Sequence, residues 1–281
     1  MNSNYFEITI PFNSENYDNI QSALYQADIE NSLEENGTIK IYIEEEKKDL
    51  IEKVKTELEN YAGSIDIKIE KFENRNWNDE WEKSIQPVYI KDKIVIHSSW
   101  NKDSIENPEG KILIEIDPKM SFGTGHNETT QIVLEMLCEY LDANDKTMLD
   151  YGAGTAVLSI AAIKLGVEHA VAIDIDVDSI ENAKEYIRNN GVEKSIKLDN
   201  CNISHVDEMD FDVIAANIIR SVITANLKYI YSKLKSGGKL FISGILIEEE
   251  QQILNELEKF DIEIIEVRKK AEWLGIYARK K

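Results

Sequence analysis

The stretch 148–166 constrains the fold of this chain more than any other, because a short strand, a glycine turn and a buried helix follow one another there. The predicted strand ends at Asp150, and Gly152 and Gly154 form a turn that a side chain would block. The run 156–165 is apolar on most faces, as in a helix packed on a sheet. A carboxylate beside such a turn suits a nucleotide-like ligand, but an ordinary strand–turn–helix corner has the same pattern.

Further strands and helices alternate after this stretch, which predicts an α/β domain with a doubly wound, mostly parallel sheet. The last two predicted strands, 262–267 and 273–279, have no helix between them. The sequence therefore also predicts an antiparallel edge strand.

Polar side chains stand at three predicted strand ends, at Asp150, Asp174 and Asn217. Ligands of doubly wound sheets bind beyond the carboxyl ends of the strands, and Asp174 is a natural acceptor for two ribose hydroxyls. Each residue alone could be a helix cap or a solvated turn, but three in phase indicate a binding site.

A second glycine loop precedes the helix predicted from about residue 128. Gly123 and Gly125 free its backbone, Phe122 offers a flat face, and Thr124 and Thr129 offer hydroxyls. Such a loop at a helix start can cover a bound ligand, although a plain connecting loop is the alternative.

The first 72 residues predict a small α+β domain, with strands and helices in the ferredoxin-like order strand–helix–strand–strand–helix–strand. A linker helix carrying Trp77 and Trp81 is expected within 73–86, followed by a catalytic domain over 87–281. The first domain holds no catalytic constellation, so a binding module and a stabilising appendage are both open.

The formal net charge is -21, from 53 acidic and 32 basic residues, which argues against direct nucleic-acid binding. No segment is apolar enough for a membrane span or a signal peptide. Two cysteines and four scattered histidines predict neither a disulfide framework nor a metal site. We therefore expect a cytoplasmic, monomeric protein that binds no membrane.

Two other classes of nucleotide-binding protein are disfavoured by the sequence of the glycine turn. A nicotinamide dinucleotide favours a third Gly or Ala where this chain has Val157. The glycine–lysine loop of phosphate-binding ATPases is absent from the sequence.

The motifs instead resemble class I S-adenosylmethionine-dependent methyltransferases and, within that class, the PrmA family, which methylates protein eleven of the large ribosomal subunit. The resemblance covers residues 74–281 strongly, and residues 1–72 match only in size and position. It rests on the connector around Trp77 to Trp100 and on the segments 122–130, 150–154, 172–176, 216–219 and 244–246.

The resemblance implies a Rossmann-like sheet of seven strands, S-adenosylmethionine as cofactor and a basic ribosomal protein as substrate. It also implies that residues 1–72 form the substrate-recognition domain. Asp174 would hold the ribose, and Asn217 would be the catalytic residue that faces the methyl-accepting nitrogen. The residues assigned to the cofactor are Phe122, Gly123, Thr124, Thr129, Asp150, Gly152, Gly154, Asp174, Ile175 and Asn217.

The chain departs from the family's pattern at Ala156, where glycine is usual, and at Asn127 or Glu128, where a second histidine or a proline is common. These departures leave open a methyltransferase that acts on another protein or on a small amine. A non-catalytic docking module is the alternative from another class.

Overall fold

A computed structural model describes residues 4–29, 31–35, 37–72, 85–118 and 123–281. The chain divides into two compact units, Met1–Trp81 and Glu82–Lys281. This division falls inside the connector predicted for 73–86, whose own bounds stay a prediction. Most of the predicted linker helix, with Trp77 and Trp81, lies outside the described residues, as does Phe122.

The first unit is a four-stranded antiparallel sheet with two helices. In chain order its elements are β1 (Tyr5–Pro11), α1 (Tyr17–Gln26), β2 (Leu33–Glu35), β3 (Thr38–Glu44), α2 (Asp49–Ala62) and β4 (Lys68–Phe72), which is the order that the sequence predicts. The strand order in the sheet is β2-β3-β1-β4. Isoleucines on alternate positions of the strands are buried with apolar residues of both helices.

The second unit contains a three-stranded sheet and a seven-stranded sheet. In chain order its elements are β5 (Val88–Ile90), β6 (Ile94–His97), β7 (Ile112–Glu115), α3 (Glu128–Tyr140), β8 (Thr147–Tyr151), α4 (Val157–Leu165), β9 (His169–Asp174), α5 (Val177–Asn189), β10 (Ile196–Asn200), β11 (Phe211–Asn217), α6 (Arg220–Lys233), β12 (Leu234–Leu246), α7 (Glu250–Leu257), β13 (Ile262–Lys270) and β14 (Trp273–Lys280). The strands of the small sheet are β5, β6 and β7, in that order.

The large sheet has the order β10-β9-β8-β11-β12-β14-β13. Its first five strands run parallel, and β14 pairs antiparallel with both β12 and β13. This confirms the predicted α/β fold, although the antiparallel strand β14 lies one position inside the edge, which β13 forms. A short 3-10 helix, Ile247–Glu249, directly precedes α7.

The strand order reverses at β8, since β9 and β10 lie on one side of it and β11 and β12 on the other. Both faces of the sheet are covered by buried apolar clusters, one including residues of α3, α4 and α5 and the other residues of α6 and α7. The carboxyl ends of β8, β9 and β11 therefore meet at the topological switch point, where such sheets bind ligands. No described helix is long and apolar enough to cross a membrane.

Candidate functional site

A cavity of about 610 Å³ opens at this switch point. Its size lies within the range of small-molecule and cofactor sites. The residues that line it are Thr129, Tyr151, Gly152, Gly154, Asp174, Ile175, Ser179, Asn202, Asn217, Ile218, Ile219, Ser221, Val222, Ala225, Asn226, Gly244 and Trp273. Six of the predicted site residues are among them.

The glycine loop after β8 forms one wall of the cavity. The backbone amides of Gly152 and Ala153 both donate to the carbonyl of Ile173, at 2.9 Å each. Gly152 has φ +79°, and a Cβ there would lie 2.2 Å from Cγ2 of Ile218. Glycine is therefore required at 152 both by its backbone conformation and by the approach of the loop after β11.

Asp174 ends β9 on the cavity wall. Its Oδ2 accepts a hydrogen bond from the Gly154 amide at 2.9 Å, and its Oδ1 accepts one from the Asp176 amide at 3.0 Å. Each carboxylate oxygen keeps a further lone pair for a ligand hydroxyl. The next residue, Ile175, is 73% exposed and lines the same cavity. The two residues thus offer a polar and an apolar contact side by side.

Asp150 does not reach the cavity, although the sequence predicts it as a cofactor ligand. It is fully buried, and its Oδ2 accepts hydrogen bonds from the amide and hydroxyl of Ser159, at 3.1 and 2.7 Å. Burial raises the pKa of Asp150 to about 7; the Ser159 hydrogen bonds oppose the rise and the charge of Asp174 adds to it. The structure thus ties Asp150 to the first turns of α4 beneath the glycine loop.

Ala156 stands between the glycine loop and α4 in the left-handed region, with φ 60° and ψ 21°. It is fully buried. An L-residue in this region carries a steric cost that glycine does not. The departure from the family's usual glycine is therefore a place of backbone strain in this chain.

The second glycine loop packs against the first. The hydroxyl of Thr155 donates to the carbonyl of Gly123 at 2.7 Å, and a Cβ on Gly123 would lie 2.7 Å from that hydroxyl oxygen. Thr124 is half-buried, and its hydroxyl oxygen lies 3.4 Å from Nδ1 of His126. Neither Gly123 nor Thr124 lines the described cavity.

Asn217 ends β11 and is held by a residue far away in the chain. Its Nδ2 donates to the hydroxyl of Thr130 at 3.2 Å, and Thr130 is fully buried in α3. The Asn217 Oδ1 and the hydroxyl of Thr129 are buried without a hydrogen-bond partner among the described residues. Unpaired buried polar atoms are costly and rare, so their presence on a cavity indicates a functional site.

Sequence reasoning missed several cavity residues. Asn202 lines the cavity two residues beyond β10, whose last residue is Asn200, so the strand-end argument would not have located it. Tyr151 contributes a buried hydroxyl without a described partner, and Trp273 begins β14 far along the chain. No sequence signal points to Trp273, because only the pairing of β14 with β12 brings it to the cavity.

No group of three or more His, Cys, Asp or Glu that could hold a metal occurs within the described ranges. Cys138 is buried, and burial raises its thiol pKa to about 11. The polar groups of the cavity are instead hydrogen-bonding groups and one carboxylate, which fit a nucleoside with a hydroxylated sugar.

A family model and two similar curated relatives carry the same description. The family model described as ribosomal protein L11 methyltransferase (PrmA) matches residues 8–281. A ribosomal protein L11 methyltransferase of Phocaeicola vulgatus is 33% identical over 280 residues, which span 97% of this chain and 98% of the relative. One from Dictyoglomus turgidum is 36% identical over 235 residues, which span 82% of this chain and 76% of the relative.

A solved structure agrees with these relatives. The crystal structure of a ribosomal protein L11 methylase from Lactobacillus delbrueckii subsp. bulgaricus matches with a TM-score of 0.65 at 27% identity. The match covers 70% of this chain and all of that one.

Proposed function

The chain belongs to the family of ribosomal protein L11 methyltransferases, and we propose that it transfers methyl groups from S-adenosylmethionine to lysine or N-terminal amino groups of that ribosomal protein. One observation carries the assignment of the site. The glycine loop, Asp174 and Asn217 lie on a single cavity at the switch point of the sheet. That combination supplies a place for a nucleoside next to an amide that can hold an amine.

The cofactor fits the residues present. Asp174 would accept hydrogen bonds from the ribose hydroxyls, and Ile175 would cover the adenine. Gly152 and Gly154 would approach the methionine part, and the Thr129 hydroxyl would find its missing partner there. The assignment of Phe122, Gly123 and Thr124 to the cofactor stays a prediction from the resemblance. Asp150 would act indirectly, by holding α4 through Ser159.

When bound, S-adenosylmethionine supplies an electrophilic methyl group, so the protein's task is mainly to position and desolvate the amine. A free lysine amine has a pKa of about 10.4 and must lose its proton before it attacks. Burial in the cavity favours the neutral amine. The Asn217 Oδ1 would accept one N–H of that amine and so direct its lone pair.

The remaining properties follow from the substrate. A basic ribosomal protein suits the acidic chain, with a net charge of -21. We assign substrate recognition to the first unit, place the reaction in the cytoplasm, and expect a monomer that does not bind nucleic acid directly. The alternative of a non-catalytic docking module is disfavoured, because it would not need Asp174 and Asn217 on one cavity.

Two measurements test the proposal. Isothermal titration with S-adenosylmethionine should show binding, and no binding at millimolar ligand would refute the enzyme assignment. Mass spectrometry of purified ribosomal protein L11 after incubation with enzyme and cofactor should show methylated amines. If the cofactor binds and only another protein or a small amine is methylated, the substrate assignment is wrong while the reaction type stands.

Asn217→Ala should still bind the cofactor but lower kcat by about 10²–10³-fold, because one positioned polar group contributes on this scale. Thr130→Val keeps the side-chain volume but removes the hydroxyl that orients Asn217. It should lower kcat less than Asn217→Ala does. Unchanged turnover in Asn217→Ala would remove this residue from the mechanism.

A further inference from the structure

Tyr151 is the last residue of β8, and its side chain lies on the side of the sheet that carries α6. It belongs to the same buried cluster as Ile223 and Leu227 of α6. The preceding residue, Asp150, holds Ser159 of α4 on the opposite side, as the alternation of side chains along a strand requires. Tyr151 therefore extends from the strand end toward the part of the cavity that α6 lines.

α6 forms a wall of the cavity that none of the residues assigned to the cofactor occupies. The wall consists of Ser221, Val222, Ala225 and Asn226. Ile175 lines the same cavity from the end of β9, so apolar side chains of two elements border this space. An aromatic base has flat apolar faces, and its polar atoms lie only at its edge. The base is therefore the part of a nucleoside that suits the space beside α6.

The hydroxyl of Tyr151 is a polar group in this part of the cavity that lacks a partner. Tyr151 is only 4% exposed, and its hydroxyl oxygen is buried without a hydrogen-bond partner among the described residues. Burial raises the pKa of Tyr151, and the charge of Asp174 adds to the rise, so the hydroxyl keeps its proton at neutral pH. A protonated phenol without a partner is a donor that requires an acceptor.

A second buried tyrosine shows what this hydroxyl lacks. Tyr186 is fully buried in α5, and its hydroxyl donates to the carbonyl of Asp117. Tyr186 does not line the cavity, whereas Tyr151 does. A buried hydroxyl without a partner is destabilising, and phenylalanine would avoid the cost. The unpaired hydroxyl is thus the one that can contact a ligand.

The base of S-adenosylmethionine supplies acceptors of the required kind. The adenine ring nitrogens N1, N3 and N7 lie at the edge of the ring and accept hydrogen bonds. Asp174 is a carboxylate that can only accept hydrogen bonds, so it suits the ribose hydroxyls and cannot serve these nitrogens. A donor near Asp174 therefore complements the contact to the ribose with a contact to the base.

We propose that Tyr151 binds the cofactor, its hydroxyl donating a hydrogen bond to a ring nitrogen of the adenine base. This inference rests on the proposed function. The hydrogen bond makes the site selective for the base, because a base without that acceptor leaves the buried hydroxyl unpaired.

The first test is isothermal titration of the full chain with S-adenosylhomocysteine, the product left after methyl transfer, which reports binding without turnover. Tyr151→Phe should raise its Kd about three- to tenfold, since one neutral hydrogen bond contributes on this scale. Without ligand, Tyr151→Phe should unfold at or above the wild-type Tm, because its hydroxyl has no described partner to lose. The matched control Tyr186→Phe loses the bond to Asp117, so it should have a lower Tm and an unchanged Kd.

The second test identifies the acceptor with the 1-deaza, 3-deaza and 7-deaza analogues of S-adenosylhomocysteine, each of which replaces one ring nitrogen by C–H. For one analogue, the loss of affinity relative to S-adenosylhomocysteine should be about three- to tenfold larger in wild type than in Tyr151→Phe. Only wild type has the hydroxyl whose bond that analogue removes.

Three outcomes overturn the proposal. One is an unchanged Kd of Tyr151→Phe for S-adenosylhomocysteine. The second is an equal loss in both proteins for all three analogues, which would mean that the hydroxyl contacts the sugar or only packs. The third is a wild-type protein that binds all three analogues as tightly as S-adenosylhomocysteine, a result that needs no variant. A wild-type protein that binds neither S-adenosylmethionine nor S-adenosylhomocysteine refutes the proposed function instead, so the two failures are distinguishable.

Discussion

Asp174 ends β9 and Asp150 is the last residue but one of the neighbouring parallel strand β8, yet the structure uses the two carboxylates in opposite ways. Asp150 is fully buried and holds Ser159, whereas Asp174 lines the cavity. The register explains the difference, because Asp150 is paired with Ala172, two residues before Asp174. At about 3.3 Å per residue, Asp150 lies roughly 7 Å deeper in the sheet than Asp174.

The third strand end agrees with this explanation. Asp150 is also paired with Ala215, two residues before Asn217. Asp174 and Asn217 therefore lie at the same level along the strand direction. On the strand between them, β8, the residue at this level is Gly152, which follows the strand in the glycine loop. We call the position of Asp174 and Asn217 the upper level and that of Asp150, two residues deeper, the lower level. A carboxylate at the upper level contacts the ligand site, and one at the lower level contacts the helix that packs on the sheet.

The largest expected effect concerns Asp150, at the lower level. Burial raises the pKa of Asp150 from its ordinary value of 3.8 to about 7 in the folded state, so the folded protein holds an extra proton between these pH values. Its contribution to the free energy of unfolding therefore falls as the pH rises from about 4 to about 7, by roughly 4 kcal/mol in total. Asp150→Asn cannot ionise and should lack this loss.

The measurement is urea unfolding at pH 5.5 and 8.5, both above the pI of about 4.6. Over this window the stability of Asp150→Asn relative to wild type should rise by roughly 2 kcal/mol. Asp142→Asn is the control, because Lys239 holds the pKa of Asp142 at about 2 and its titration ends below the window. A constant difference for Asp150→Asn would show that Asp150 is ionised throughout.

The second largest effect concerns Asp174, at the upper level. Asp174→Ala should raise the S-adenosylmethionine Kd by at least about 10²-fold, since each hydrogen bond to a charged group contributes about 1.5–3 kcal/mol. Asp176→Ala is the control, because Asp176 also accepts backbone hydrogen bonds, as the cap of α5, but does not line the cavity. Equal losses of affinity in both variants would mean that Asp174 acts only by supporting the loop.

The smallest effect concerns Ala156, in the loop that joins β8 to α4. Ala156→Gly should stabilise the protein by up to about 1 kcal/mol, because relief of the left-handed conformation, about 1–2 kcal/mol, outweighs the added chain entropy of glycine. Ala153→Gly is the control, since Ala153 is not among the positive-φ residues, and it should destabilise. Thermal unfolding checks both variants; a lower Tm for Ala156→Gly would show that the Ala156 methyl group packs well enough to offset its strain.

Much of this site was predictable from local pattern. Alternating strands and helices predicted the doubly wound sheet, and the glycines at 152 and 154 predicted the turn. The strand-end rule located Asp174 and Asn217 correctly on one cavity. It placed Asp150 on the same level, which was wrong, because the rule identifies the end of a strand but not its offset against its neighbours.

Other features depended on contacts that no local pattern contains. Asn217 is oriented by Thr130, 87 residues earlier in the chain, and Trp273 reaches the cavity only through strand pairing. The left-handed backbone of Ala156, with φ 60°, is likewise visible only in the structure.

Local sequence is sufficient for the class of fold, the glycine turn, the carboxylate at Asp174 and the amide at Asn217, because each depends on residues close together in the chain. Contacts between distant parts of the chain set the depth of Asp150, the partner of Asn217 and the place of Trp273 on the cavity. The physical reason is that strand register and layer packing are set by the simultaneous burial of many distant side chains, which no single segment encodes.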